Sequence, residues 1–189
     1  MLSIADFVSQ TEALLPKRAA SVSGIARLAS EVAAALDGPS ATFGAGIKSA
    51  LARAVTADLL SCEQRQPKSG CYARHVLHSD PGGRFTVLAI VWDAGQFSPA
   101  HAHDTWCGYA VLENALDETV FRYNADAAKA EVLRTEVRKP GYSCFAAAGL
   151  DQIHRVGNSG SRPAISIHVY GVERERIATH VNRLVDVAP

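Results

Sequence analysis

The sequence predicts a mainly β protein with an N-terminal helical layer, built as a single domain over residues 1–189. The chain has 189 residues, of which 48% are hydrophobic, which is enough for one well-buried core. Apolar residues in the first 60 positions recur at helical spacing, whereas short β-branched and aromatic runs follow Gly70. Because these runs are short and separated by turn signals, they favour a sandwich or small barrel over βαβ units.

The helical layer is expected over residues 1–68. One apolar stripe predicts a helix that Ser23 caps and that Gly38-Pro39 ends. A helix from about 4 to 15 should stop at Pro16, and another is expected from about 47 to 60. The stripe consists of Ile25, Leu28, Ala29, Val32 and Leu36.

The strands are expected over residues 69–172, with a C-terminal extension over 173–189. The turn Asp80-Pro81-Gly82-Gly83 should join a strand over 71–78 to one over 84–92 as a hairpin. Further strands are predicted near 107–113, 117–123, 131–138, 142–147, 152–157 and 164–171.

Charge, hydropathy and cysteine content indicate which partners and which cellular location to expect. The chain has 19 basic and 19 acidic residues and a pI near 7.0, so it lacks the long-range field that attracts nucleic acid or anionic lipid. The N-terminus does not resemble a signal peptide, and no run reaches the 18 apolar residues of a membrane span. The four cysteines contain no C-x-x-C pair. We therefore expect reduced thiols, a cytoplasmic location, and no nucleic-acid or membrane partner.

Three histidines could form a metal site. His101 and His103 are two residues apart, so both side chains point to one face of an extended chain. His154 lies in a later predicted strand, which a closing sheet could bring beside them. The spacing alone is equally consistent with surface or hydrogen-bonded core histidines. Three neutral imidazoles would leave the charge of a divalent metal uncompensated, which favours thiolate or carboxylate ligands in the open positions.

Polar residues also alternate on the last predicted strand. Ser166, His168 and Tyr170 share one face, and the intervening residues of the other face are apolar. If that polar face is buried, the three side chains must hydrogen-bond one another; the alternative is an exposed polar face above the core. Tyr72 and Arg74 are similarly spaced, and a guanidinium beside a phenol can bind a carboxylate, or can simply lie on the surface.

Two motifs resemble the metal-binding motifs of the cupin superfamily. The segments SPAHAHDTW, DETVFRY, IHRVGN and SIHVYG are similar to the cysteine dioxygenase branch of the thiol dioxygenases. The resemblance covers roughly 71–171 and implies a cupin (jelly-roll) β-barrel with N-terminal helices, in one thiol dioxygenase-like domain. The two motifs are carried by Gly95, His101, His103, Gly141, Gly149, His154 and Asn158.

The resemblance also implies a reaction. Its cofactor would be mononuclear non-haem Fe(II), and its partners a small thiol and O2, whose two atoms are added to sulfur to give a sulfinate. The resemblance favours a monomer. Relatives that prefer 3-mercaptopropionate tend to carry Gln where this chain has Arg74, so cysteine is the expected substrate, with 3-mercaptopropionate and mercaptosuccinate as alternatives. The nearby Arg155, Arg174 and Arg176 could supply a second cation for a dicarboxylic thiol.

The implied residue roles fall into three groups. The metal ligands would be three histidines, a second group would form a catalytic relay, and a third would hold the substrate carboxylate. In that order, the groups are His101, His103 and His154; then Ser166, His168 and Tyr170; and finally Arg74 with Tyr72.

The sequence departs from the family pattern in three places. The acidic residue of the cupin motif is missing, as in other thiol dioxygenases, and the usual turn glycine is Asn114. Animal members form a thioether between a cysteine and the relay tyrosine, and the matching position here is Gly108. Cys107 is one residue away, so its side chain is expected to point to the other face, which predicts an unmodified Tyr170.

Two interpretations from other classes remain open. A zinc hydrolase or hydratase could use the same three histidines, since Zn²⁺ accepts these ligands. A non-catalytic cupin that binds a small ligand or senses metal is the other possibility, and it would make the relay residues and Arg74 incidental.

Overall fold

The computed structural model describes residues 23–55 and 58–188. It contains two α-helices, α1 (Gly24–Asp37) and α2 (Phe43–Ala54). The Ser23 hydroxyl oxygen accepts a hydrogen bond from the Ala26 amide at 3.1 Å, so the predicted cap of α1 is confirmed. None of the helices in these ranges is long and apolar enough to cross a membrane.

The boundaries of one other predicted helix need correction. The helix expected over 47–60 in fact begins at Phe43 and ends at Ala54. Leu59 and Leu60 continue the apolar pattern, but they are buried in the core from an irregular segment rather than from a helical turn. Burial alone therefore accounts for their hydrophobicity. The helix predicted over 4–15 lies outside the described residues.

Ten strands lie within the described residues, and each strand predicted from sequence is present within a few positions. The bounds are β1 Ala73–Ser79, β2 Thr86–Trp92, β3 His101–His103, β4 Cys107–Glu113, β5 Leu116–Asn124, β6 Lys129–Arg138, β7 Ser143–Ala146, β8 Gly149–Gly157, β9 Ala164–Tyr170 and β10 Asn182–Leu184.

The strands form two five-stranded antiparallel sheets. In the first, which we call sheet I, the order is β1-β2-β9-β4-β7; in the second, sheet II, it is β10-β3-β8-β5-β6. The chain crosses repeatedly between the sheets, as in the double-stranded β-helix of cupins. The predicted fold class, mainly β with N-terminal helices and a cupin barrel, is therefore confirmed.

The helices cover the outer face of sheet I. Ile47 and Leu51 of α2 approach β4 so closely that a Cβ at Gly108 would lie 2.8 Å from each of them. Ile167 and Val169 of β9 belong to the same buried cluster. The apolar face of β9 is thus turned to the helices, which leaves its polar face for the barrel interior.

The C-terminal segment adds a strand that the sequence analysis did not predict. β10 pairs with β3 and places Asn182 opposite His103. At three residues, it carries too short a pattern to be detected by periodicity. It closes the edge of sheet II beside the histidines.

Candidate metal centre and its pocket

Three histidines converge inside the barrel. β3 carries His101 and His103, and its pairing with β8 places His101 opposite His154. One ring nitrogen from each of the three lies within 4.8 Å of the other two. This separation suits a divalent metal bound by three imidazoles, since metal–nitrogen bonds of about 2.1 Å place ligand atoms roughly 3–4 Å apart.

Hydrogen bonds select the nitrogens that face the centre. His101 Nδ1 lies 2.9 Å from the Pro99 carbonyl oxygen and must donate to it, because a carbonyl can only accept. His154 Nδ1 lies 2.8 Å from a carboxylate oxygen of Glu118. Both rings therefore keep Nε2 for a metal, whereas the buried Nδ1 of His103 has no partner among the described residues. The donor set fits a bound metal ion.

Burial holds two of these imidazoles in the state that a metal requires. Desolvation, reinforced by the charge of His154, lowers the pKa of His101 to about 4. The same two causes, with His101 added, lower the pKa of His103 to about 2. Both rings are therefore neutral near pH 7, when their lone pairs are available for coordination.

The polar face of β9 forms a buried hydrogen-bonded chain beside the histidines. Ser166 Oγ lies 2.8 Å from His168 Nε2, and the Tyr170 hydroxyl lies 3.1 Å from His168 Nδ1. The ring of Tyr170 is 5.9 Å from that of His103, centroid to centroid. All three relay side chains are buried, so the exposed-face alternative is wrong.

Trp92 gives this hydrogen-bonded chain a direction. Its indole nitrogen donates to Ser166 Oγ at 2.9 Å, and an indole N–H can only donate. Ser166 can then use its own hydrogen toward His168 Nε2, which leaves the His168 Nδ1–H to donate to the Tyr170 oxygen. Burial lowers the pKa of His168 to about 3, so the ring is neutral and carries one such proton. The Tyr170 hydrogen is then left to the neighbouring Cys107 sulfur or to a molecule in the barrel.

Replacing Trp92 by Phe is expected to remove this direction. Without the indole donor, the buried Ser166 oxygen has no donor unless it accepts from His168 Nε2, so the second tautomer of the ring becomes populated. Nitrogen-15 NMR should show a neutral His168 protonated on Nδ1 in the wild type and a mixture of the Nδ1-protonated and Nε2-protonated tautomers in Trp92→Phe. The kcat of the variant is expected to fall about fivefold, which corresponds to the loss of about 1 kcal/mol. Trp106→Phe, the other tryptophan, is the matched control. An unchanged His168 tautomer in Trp92→Phe would contradict the assigned direction.

A small cavity opens between the relay and the histidines. Arg74 stands at its exposed end, with its Nη2 donating to the Tyr72 hydroxyl oxygen at 2.9 Å. Because that oxygen accepts from Arg74, the Tyr72 hydrogen stays available to a ligand. The cavity is lined by Tyr72, Arg74, Ile90, Trp92, Ser98, His101, His154, Val156, His168, Tyr170 and Asn182.

Asn182 is a pocket residue that sequence reasoning missed. Its Oδ1 is buried and accepts no hydrogen bond from any described residue. A buried acceptor without a donor is unfavourable, so this oxygen is suited to an N–H or O–H of a bound molecule. No motif marks Asn182, because it comes from β10.

The three arginines considered for a second carboxylate lie elsewhere. Arg155 is exposed, with its guanidinium 4.6 Å from the centre of the Phe97 ring, and Arg174 and Arg176 are exposed as well. Among the described residues that line the cavity, Arg74 alone carries a fixed positive charge.

The expected orientation of Cys107 is wrong. Cys107 pairs directly with Tyr170 across β4 and β9 and shares its buried cluster, so the two side chains face the same side. Gly108 faces α2 instead. Cys107 and Gly108 do alternate along β4, so the error lay in taking Gly108 as the position that faces Tyr170; the register between β4 and β9 gives that position to Cys107. An unmodified Tyr170 stays a prediction, which peptide mass can test by the absence of a two-hydrogen loss.

Comparison with solved structures gives distant similarity. A protein from Thermus thermophilus is 19% identical, with 61% of this chain and 98% of that chain covered at a TM-score of 0.46. A double-stranded β-helix protein from Klebsiella pneumoniae is 20% identical, with 62% and 92% covered at 0.47. A cupin superfamily protein from Desulfitobacterium hafniense is 10% identical, with 57% and 84% covered at 0.42.

Comparison with protein families gives a more specific result. The profile described as cysteine dioxygenase type I matches residues 68–181. The matched region contains the three histidines and the Ser166–His168–Tyr170 chain, together with Arg74 and Glu118. Since it covers more than half of the sequence, the chain belongs to the cysteine dioxygenase type I family.

Proposed function

We propose that the protein is a non-haem Fe(II) thiol dioxygenase that converts cysteine to cysteine sulfinate. The observation that carries the proposal is the position of the Ser166–His168–Tyr170 chain, which ends beside the three histidines and shares one cavity with Arg74. The reaction balances as a thiol plus O2 giving a sulfinate and a proton: both oxygen atoms become bound to sulfur, and the S–H proton is released. Fe(II), held by His101, His103 and His154, would supply the binding of thiolate and the activation of O2.

The residues around the metal have separate tasks. Arg74 would bind the substrate carboxylate through its planar guanidinium, with the free hydrogen of Tyr72 donating a further bond. Tyr170 would donate its hydrogen bond to the substrate or to oxygen. Burial, with the nearby Cys107 thiol, raises the pKa of Tyr170 well above its usual value, so this hydroxyl keeps its proton near neutral pH.

The cavity favours cysteine over the other thiols considered. One fixed cation suits one carboxylate, whereas mercaptosuccinate has two. The unpartnered Oδ1 of Asn182 can accept from an amine, which 3-mercaptopropionate lacks. We therefore expect an amino thiol with one carboxylate to be the preferred substrate.

The experiment is anaerobic reconstitution with Fe(II), followed by oxygen uptake with cysteine, 3-mercaptopropionate and mercaptosuccinate at matched concentrations. Cysteine is expected to give the highest kcat/KM and a product 32 Da heavier, the mass of two oxygen atoms. Equal rates on the three thiols would contradict the assigned selectivity but not the reaction. No uptake with any thiol in the iron-loaded protein would contradict the reaction itself.

The remaining interpretations have distinct outcomes in the same experiment. A zinc hydrolase or hydratase would be active with Zn²⁺ and consume no oxygen. A ligand-binding cupin would retain whatever function it has in Tyr170→Phe, whereas the dioxygenase is expected to lose turnover. Monomeric state in solution stays a prediction, and size-exclusion chromatography with light scattering tests it.

A further inference from the structure

One carboxylate lies directly behind the metal ligands. Glu118 projects into the barrel from β5, which pairs with β8, the strand of His154. Its side chain is only 6% exposed, and Oε1 lies 2.8 Å from His154 Nδ1. A carboxylate is rarely buried to this extent unless specific partners compensate its charge.

Arg138 supplies that compensation from β6. Its Nε donates to Glu118 Oε2 at 2.7 Å, and its guanidinium lies 4.3 Å from the centre of the Tyr142 ring. Arg138 also pairs with Glu136. Each oxygen of Glu118 therefore has its own donor, so the carboxylate cannot rotate away from His154 without losing a hydrogen bond.

These contacts keep Glu118 ionised. Arg138 Nε donates to Oε2 at 2.7 Å and its guanidinium carries a fixed positive charge, which favours the carboxylate form of Glu118. An ionised carboxylate can only accept, so the proton between the two residues belongs to His154 Nδ1. His154 Nε2 is then the nitrogen left for the metal.

The other two ligand histidines lack such a partner. The Nδ1 of His101 donates to a neutral carbonyl, and that of His103 has no partner among the described residues. Among these three histidines, His154 is therefore the one whose Nδ1 is hydrogen-bonded to a charged side chain. A carboxylate behind an imidazole fixes its tautomer and ring orientation and increases its basicity as a ligand.

We propose that Glu118 is a positioning residue that holds His154 for metal binding and raises the affinity of the site for a divalent metal. The cupin motif's acidic ligand is missing from this chain, so the metal would otherwise face three neutral donors. Glu118 places one negative charge behind a ligand rather than on the metal, which leaves the open coordination positions for substrate. The inference rests on the metal site of the proposed function, but not on its reaction.

The test measures metal affinity in the absence of thiol. Co(II) titration, with a competing chelator, is expected to give a dissociation constant about 10- to 100-fold larger for Glu118→Gln than for the wild type. Glu131→Gln is the matched control, because Glu131 is also paired with an arginine, at 3.3 Å, but lies on the surface away from the histidines. Its affinity is expected to stay at the wild-type value.

Two further measurements keep the test decisive. Circular dichroism and Tm distinguish loss of metal affinity from loss of folding in Glu118→Gln. If that variant does not fold, nitrogen-15 NMR of the metal-free wild type serves instead: His154 is expected to be protonated on Nδ1. A Glu118→Gln dissociation constant within twofold of the wild type, or a His154 protonated on Nε2, would overturn the proposal. Either result stands apart from oxygen uptake, which tests the reaction.

Discussion

Arg74→Ala is expected to lower kcat/KM for cysteine by on the order of 100-fold, because a charge-assisted clamp on a carboxylate contributes a few kcal/mol. Arg74 is the one fixed cation among the described residues that line the cavity, and the Tyr72 hydroxyl holds its Nη2 at 2.9 Å. No other arginine in the part of the chain that the structure describes lines this cavity. Steady-state oxygen uptake with cysteine measures the effect.

Arg155→Ala is the matched control for Arg74. Arg155 was singled out by its place in the sequence next to His154, yet it lies outside the cavity with its guanidinium over Phe97. Its removal is expected to leave kcat/KM within about twofold, the effect of a typical exposed position. If Arg74→Ala keeps its kcat/KM, or if Arg155→Ala loses as much, the carboxylate is bound elsewhere.

The metal-free protein is expected to lose stability steeply as the pH falls from 7 to 5. Burial lowers the pKa of His168 to about 3, whereas an unfolded histidine has a pKa of about 6.5. The unfolded state therefore binds a proton that the folded state excludes, so the stabilisation is present above pH 6.5 and is lost as pH falls toward 3. Between pH 7 and pH 5, His168 should lower the free energy of unfolding by about 2 kcal/mol.

His101 and His103 act in the same direction, since burial lowers their pKa values to about 4 and about 2. Urea unfolding of the metal-free protein at pH 7 and pH 5 measures the combined loss. His168→Gln is expected to reduce the difference between the two pH values by about 2 kcal/mol, whereas His180→Gln on the surface should leave it unchanged. An identical pH dependence in His168→Gln and the wild type would mean that His168 is protonated in the folded state.

Local pattern was sufficient for most of the fold. The apolar stripe and Ser23 predicted α1 correctly, and alternation with turn residues located the hairpin of β1 and β2 and most later strands. These elements are decided by residues close together in sequence, so periodicity records them. Leu59 and Leu60 show where that reasoning fails, because burial in an irregular segment leaves the same apolar signal as a helix.

In the candidate site, too, some features follow from the local sequence and others do not. The sequence alone marked the residues that the structure brings together: the H-x-H pair, a third histidine on a later strand, and Ser, His and Tyr at alternating positions. The alternation on β9 is a local property, so its shared face could be read directly from the spacing. The residues that contact that face could not be predicted from the spacing.

Only the tertiary structure decided the partners. Trp92 and Ser166 are 74 positions apart, and Glu118 and His154 are 36 apart, so no local pattern connects either pair. Asn182 reaches the cavity from a three-residue strand, and the register between β4 and β9 places Cys107, rather than Gly108, beside Tyr170. Sheet closure and strand register bring these residues together, and both depend on packing of the whole barrel. The sequence therefore marks the three histidines and the Ser-His-Tyr chain, while the packed barrel determines which side chains hydrogen-bond to them, because those partners lie far away in sequence.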